Sequence, residues 1–89
     1  MPKIAFSPNI RSHVDVEVCD VEGDTVRSVL DSVFLLSPRL RGYLLDDNGM
    51  TRKHIAVIVN REPVEDRDCL SDPVSESDEI FVMQALSGG

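Results

Sequence analysis

Gly88 and Gly89, the last two residues of an 89-residue sequence, are the residues best suited to chemistry. Glycine makes up about 7% of ordinary proteins, so a pair at a given place has a chance of about 1 in 200. A terminal pair caps no helix and closes no turn, so local structure does not require it. It does provide a stretch without Cβ atoms, thin and conformationally free, that ends in a carboxylate. Such a stretch can be threaded into a narrow active site on another protein. The Gly89 carboxylate is therefore the candidate reactive group, and Gly88 is the residue that lets the backbone pass a constriction.

Other residue types capable of chemistry form weaker sets. Asp46-Asp47 and Asp78-Glu79 are paired acids, but adjacent acids in turns usually solvate the loop rather than share a proton. Ser87 has no histidine near it in sequence to serve as base. Cys19 and Cys69 belong to no Cys-x-x-Cys motif, and a cytosolic chain argues for free thiols. His13 and His54 have no partner at metal-ligand spacing, so no metal site is expected. There is no glycine-rich phosphate cradle. A chain of this length buries only about 60–65% of its unfolded surface, which leaves little room for a deep catalytic pocket. The chain is read as a participant in another protein's reaction rather than as an enzyme.

The elements that must carry the tail follow from periodicity. Lys3-Ile4-Ala5-Phe6 is a short strand stopped by Ser7-Pro8-Asn9. From His13 to Val21, Val14, Val16 and Val18 alternate with Asp15, Glu17 and Cys19, the period-2 pattern of a strand with one solvated face. These two strands are expected to form a hairpin. At Glu22-Gly23-Asp24-Thr25 the period changes: Asp24 or Thr25 caps a helix, and Val26, Val29, Leu30 and Val33 follow at i, i+3, i+4, i+7. The helix fades near Leu36, because Pro38 disfavours a helical Ser37. Residues 39–45 fit either a helical turn or a short extended piece, and Asp46-Asp47-Asn48-Gly49 is a turn. Ile55–Val59 is a strand apolar on both faces, Pro63-Val64 a short edge strand, and Ile80 to Ala85 the last strand.

This order predicts an α+β fold, a mixed sheet of four to five strands with one main helix packed on one face. Residues 1–85 form the domain and 86–89 a flexible tail. Ile58, Phe81, Met83 and Ala85 have parity opposite to Val57, Val59, Ile80 and Val82. If the second set packs on the helix, the first faces away from it, either covered by residues 37–54 or offered to a partner. Met83 and Ala85 are nearest the tail, and a thioether adapts well to irregular surfaces. Leu86 and Ser87, between this strand and the diglycine, complete the expected partner-binding set.

Composition narrows the partners. Sixteen acidic residues against nine basic give a net charge of -7 and a pI near 4.6. Such a field repels nucleic acid, whose binding rests on neutralised phosphates; it either serves solubility alone or suits docking on a basic protein partner. No stretch approaches the roughly 18 apolar residues of a membrane span, and Met1-Pro2-Lys3-Ile4 does not open a secretory signal. A cytoplasmic protein with no nucleic-acid or membrane partner is expected. With Lys3 and Lys53 the only lysines, few side-chain amines compete for an activated carboxyl group.

The whole pattern resembles the MoaD/ThiS family of ubiquitin-like sulfur carriers, which share the β-grasp fold. The features that carry the resemblance are the ββαββ order, the helix entry Gly23-Asp24-Thr25-Val26 and the strand end Val59-Asn60. Asp78-Glu79 before the last strand and the terminal Gly88-Gly89 complete them. The sequence departs from many relatives in lacking a proline in Met83-Gln84-Ala85-Leu86 and a glycine in Glu76-Ser77-Asp78-Glu79. The resemblance implies that an E1-like partner uses ATP to adenylate the Gly89 carboxylate and that sulfur then displaces AMP. The resulting thiocarboxylate supplies a downstream synthase of molybdopterin, thiazole, cysteine or similar biosynthesis. On that reading the chain binds no cofactor, ATP belongs to the partner, and the chain is a co-substrate or a small synthase subunit. Two alternatives stay open: a protein modifier joined through Gly89 to lysines, and a β-grasp interaction module without terminal chemistry.

Overall fold

The computed structural model of the chain describes residues 1–14, 16 and 19–84. Five strands form one mixed sheet: β1 (Lys3–Phe6), β2 (Cys19–Asp20), β3 (Ile55–Val59), β4 (Glu62–Pro63) and β5 (Glu79–Gln84). Their order is β2-β1-β5-β3-β4. The first and last strands lie side by side in parallel, with Ile4 opposite Ile80 and Phe6 opposite Val82. β3 runs antiparallel to β5 on its other edge. Among the described residues, three helices accompany the sheet: α1 (Pro8–Arg11), α2 (Val26–Leu36) and α3 (Pro38–Leu44).

α2 forms where the 3.6-residue period predicts it. Thr25 caps it reciprocally: its hydroxyl accepts from Ser28 N at 3.1 Å, and Ser28 Oγ accepts from Thr25 N at 3.0 Å. Two further first-turn amides, Val26 N and Arg27 N, donate to the carbonyls of Asp72 and Leu70, both at 2.9 Å. The loop before β5 thus completes the cap. Gly23 is required sterically, since a Cβ there would sit 2.6 Å from Val29 Cγ2 and 2.7 Å from Val29 N. Val26, Val29, Leu30, Val33 and Phe34 enter the core with Ile4, Phe6, Ile55, Val57, Ile80 and Val82 from the sheet.

The segment 37–54 packs on the same side as α2. α3 begins on Pro38, whose missing N–H costs nothing at a first helical position, and it sends Leu40 and Leu44 into the core beside Leu45. Of the two fates expected for the sheet face turned from the helix, cover by residues 37–54 is therefore not the one adopted.

Three local expectations are corrected. Ser7-Pro8-Asn9 ends β1 as expected, but Pro8 also starts the one-turn helix α1, which buries Ile10. The strand expected from His13 to Val21 is shorter: among the described residues only Cys19–Asp20 is in strand, pairing antiparallel with β1 as expected, and His13, Val14, Val16 and Val21 lie outside it. Asp15, Glu17, Val18 and the Cys19 side chain, on which the expected alternation partly rests, lie outside the described residues. The edge strand falls at Glu62–Pro63, one residue before its expected place, because a two-residue loop after Val59 sets the register.

Candidate functional site

β5 is central, so both of its faces are defined by neighbours. On the face turned from the helices, Ala5, Phe81 and Ile58 form one rung across three strands, and Pro63 extends it on β4. Met83 and Ala56 form the next rung. Phe81 is 37% exposed, while Ile58, Met83, Ala5 and Ala56 are half-buried. The rungs lead into an open depression of ≈ 650 Å³ whose lining includes Ala5, Ile58 and Phe81, with Lys3, Arg61 and Glu79 contributing charged groups. The structure thus brings Ile58, Phe81 and Met83 together on one surface. Ala85, Leu86, Ser87, Gly88 and Gly89 lie outside the described residues.

The charged end of this depression is built by a hydrogen-bonded unit. Asn60 and Arg61 form the two-residue loop between β3 and β4, both at positive φ (50° and 75°), as the twist of a tight hairpin requires. Asn60 N donates to Glu79 O and Glu79 N donates to Asn60 Oδ1, each at 2.9 Å. Asn60 Nδ2 donates to Asp78 Oδ1 at 2.8 Å, and Ser75 N donates to Asp78 Oδ2 at 2.8 Å. The Ser75 amide, followed by the Asn60 amide group, holds the Asp78 carboxyl below its ordinary value of 3.8. Val59-Asn60 and Asp78-Glu79, separate motifs in the sequence, are one structural clamp between β3 and β5.

The opposite end of β5 is held differently. β1 ends at Phe6 opposite Val82, so Met83 and Gln84 have a ladder partner only in β3. On the side β1 has vacated, Ser7 Oγ accepts from Gln84 N at 3.4 Å. From α3, the Tyr43 hydroxyl donates to Gln84 Oε1 at 2.5 Å. The Tyr43 ring stacks on His13, with centroids 5.6 Å apart and planes 28° from parallel. Sequence reasoning missed this group. Ser7, His13, Tyr43 and Gln84 are scattered along the chain, and no periodic pattern links them.

The remaining sequence candidates have structural employment or stand alone. Asp46 Oδ1 accepts from Asn48 N and Met50 N at 2.9 and 3.0 Å, organising its own turn. Asp66 does the same for 69–71: the Ser71 hydroxyl and then the Cys69 amide lower its pKa from 3.8. Cys69 is a free, exposed thiol. Among the described residues, no three His, Cys, Asp or Glu side chains converge on a common point, and no helix is long and apolar enough to cross a membrane.

Comparison with known proteins places this architecture. The family model described as the ThiS family matches residues 8–89. The chain is similar to SAMP1 from Haloferax volcanii at 25% identity, covering 99% of this chain and 98% of that one, with a TM-score of 0.79. It is also similar to a structure of the Amycolatopsis orientalis BexX/CysO complex, at 22% identity over 100% of both chains with a TM-score of 0.84. Mycobacterium tuberculosis CysO aligns at 18% identity over 97% of this chain and 100% of that one, with a TM-score of 0.81. No curated protein sequence matches the chain. The fold is the ubiquitin-like β-grasp.

Proposed function

The chain belongs to the ThiS family of ubiquitin-like sulfur carriers and modifiers, and on that premise we propose that it carries sulfur on its C-terminal carboxylate. An E1-like enzyme that binds ATP directs a Gly89 carboxylate oxygen to the α-phosphorus, and pyrophosphate leaves. Hydrosulfide supplied by the partner then attacks the acyl-adenylate carbonyl, AMP leaves, and a thiocarboxylate results. A synthase of molybdopterin, thiazole, cysteine or related biosynthesis accepts the sulfur. The chain is the co-substrate in this cytoplasmic chemistry, with residues 1–85 as the handle and 86–89 as the tail.

The family match carries this reading, and the layout of β5 supports it. The same strand that presents Phe81 and Met83 beside Ile58 leads directly into Ala85, Leu86, Ser87, Gly88 and Gly89. A partner seated on that face binds remotely from the reacting atom, and such binding energy can be used to orient a tail. Gly88 passes the constriction, and Gly89 gives the sulfur nucleophile unhindered approach.

The test is peptide mass analysis of protein purified from its own host under conditions that preserve thioacids. Cleavage after Glu79 releases Ile80–Gly89, which contains no cysteine. Alkylation of that peptide identifies a terminal thiocarboxylate and separates it from oxidised Met83. A native-sequence carrier that is alkylated, beside a Gly88→Ala variant that folds but is not, is the expected pair. A terminus that stays unmodified even with active sulfur-transfer partners would overturn the proposal. Similarity to a small archaeal modifier protein of H. volcanii favours a second reading, conjugation to lysines. A branched lysine peptide ending in Gly89 would establish it.

A further inference from the structure

We infer that Tyr43 is a positioning residue: its hydroxyl bond to Gln84, backed by the His13 stack, fixes the direction in which the chain leaves the sheet toward its reactive end. Among the described residues, Gln84 is the last of β5 and the last with a ladder partner, Ile55. It lies two residues beyond the point where β1 stops supporting the strand. A strand end held on one edge only frays readily. Here the free edge is occupied by Ser7 Oγ on the backbone amide and by Tyr43 Oη on the side chain. His13, from the loop after α1, lies against the Tyr43 ring and restricts it. The clamp therefore joins Ser7 and His13, from the connection between β1 and β2, to Tyr43 of α3 at the end of β5.

The functional consequence rests on the sulfur-carrier reading. The sheet face governs whether the carrier docks, and the exit direction governs what fraction of docked carriers has the tail in the activating site. A Gln84 held in one place leaves less freedom to be lost when the residues beyond it are threaded. Removing the clamp should therefore lower kcat for activation and leave the half-saturating carrier concentration unchanged. Simple destabilisation has the opposite signature: the carrier is the varied substrate, so an unfolded fraction raises apparent KM.

The test compares the full chain with Tyr43→Phe, which keeps the ring and its stack, and with Gln84→Leu, which deletes the acceptor. Amide hydrogen exchange at Gln84 is expected to quicken about three- to tenfold in each variant, with exchange at Val29 and Val57 unchanged. ATP–pyrophosphate exchange with the host's E1-like enzyme should show a similar fall in kcat at constant KM. The double variant should be no worse than either single one, because both remove the same bond. Wild-type exchange at Gln84 in both variants, or losses that multiply in the double variant, would overturn the clamp. A fall in kcat/KM carried only by KM would reduce Tyr43 to a structural role. Absence of ATP–pyrophosphate exchange with the unmodified chain would count against the carrier reading instead, and the Gln84 measurement would still decide the clamp.

Discussion

Ile80 and Val82 point toward α2 and are 1% and 0% exposed, whereas Phe81 between them is 37% exposed and Met83 is half-buried on the same side as Phe81. The four residues are comparably apolar, and they are consecutive. The difference shows that apolarity along β5 serves two separate demands. The covered face supplies the packing free energy of a small core, of order 1.5–3 kcal/mol for each large side chain buried. The open face makes no comparable contribution among the described residues, and it retains apolar surface that folding alone does not require.

Substitutions that separate the two faces test this contrast. Val82→Asp places an unpaired carboxylate in the core and removes several of the roughly 5–15 kcal/mol that stabilise a domain. No cooperative thermal transition is expected by circular dichroism. Phe81→Asp, one residue away, should retain that transition and lose about 1 kcal/mol; equal collapse of the two variants would abolish the distinction between faces. Gly23→Ala disturbs the covered side by another route, forcing a methyl group against Val29, and is expected to cost about 1–3 kcal/mol in urea unfolding. A neutral result would mean that the helix entry has slack. Met83→Arg should barely move the melting temperature but weaken capture by the proposed E1-like enzyme about tenfold. Unfolding of this variant would assign Met83 to the core.

The smallest effect concerns the clamp at the other end of β5. Asp78 has its carboxyl pKa lowered from 3.8 by the Ser75 and Asn60 hydrogen bonds. Its contribution to stability is complete above the unfolded value and is lost as pH falls through the lower folded value. Asp78→Asn should therefore weaken the dependence of urea midpoints on acid, so that wild type and variant draw together at low pH. Parallel curves at every pH would show that Asp78 titrates alike folded and unfolded.

Much of the covered face is legible in the sequence. Val26, Val29, Leu30 and Val33 repeat at the helical period, and Thr25 is one of the two cap candidates; its pairing with Ser28 is seen only in the structure. Ile55–Val59 can hardly be anything but a strand. The parity argument also separates Ile58, Phe81 and Met83 from the core set, which the register then places on one surface. Elements of a single turn escape such reading. α1 has four residues, too few to show a period, and Pro8 signals a strand end and a helix start equally well. α3 contains Gly42, a poor helix former that is tolerated because it is exposed and nothing lies within 4 Å of its Cβ position. Its Tyr43 acquires meaning only when α3 is laid beside the end of β5. Long-range polar contacts such as Tyr43 to Gln84, 41 residues apart, leave no local signal at all.

The parallel pairing of β1 with β5 also governs how the molecule is made. Synthesis proceeds from β1 toward β5, so the strand at the centre of the sheet leaves the ribosome after the other four described strands. A nascent chain that stops short of Glu79 has β2-β1 and β3-β4 as two pairs with nothing between them. It also has one open face on each potential core. Loop closure across almost the whole chain must precede the Lys3–Glu79 register, and contacts of such separation slow folding. The sheet is consequently completed only once β5 has been translated, and products that stop before it remain exposed to chaperones and proteases.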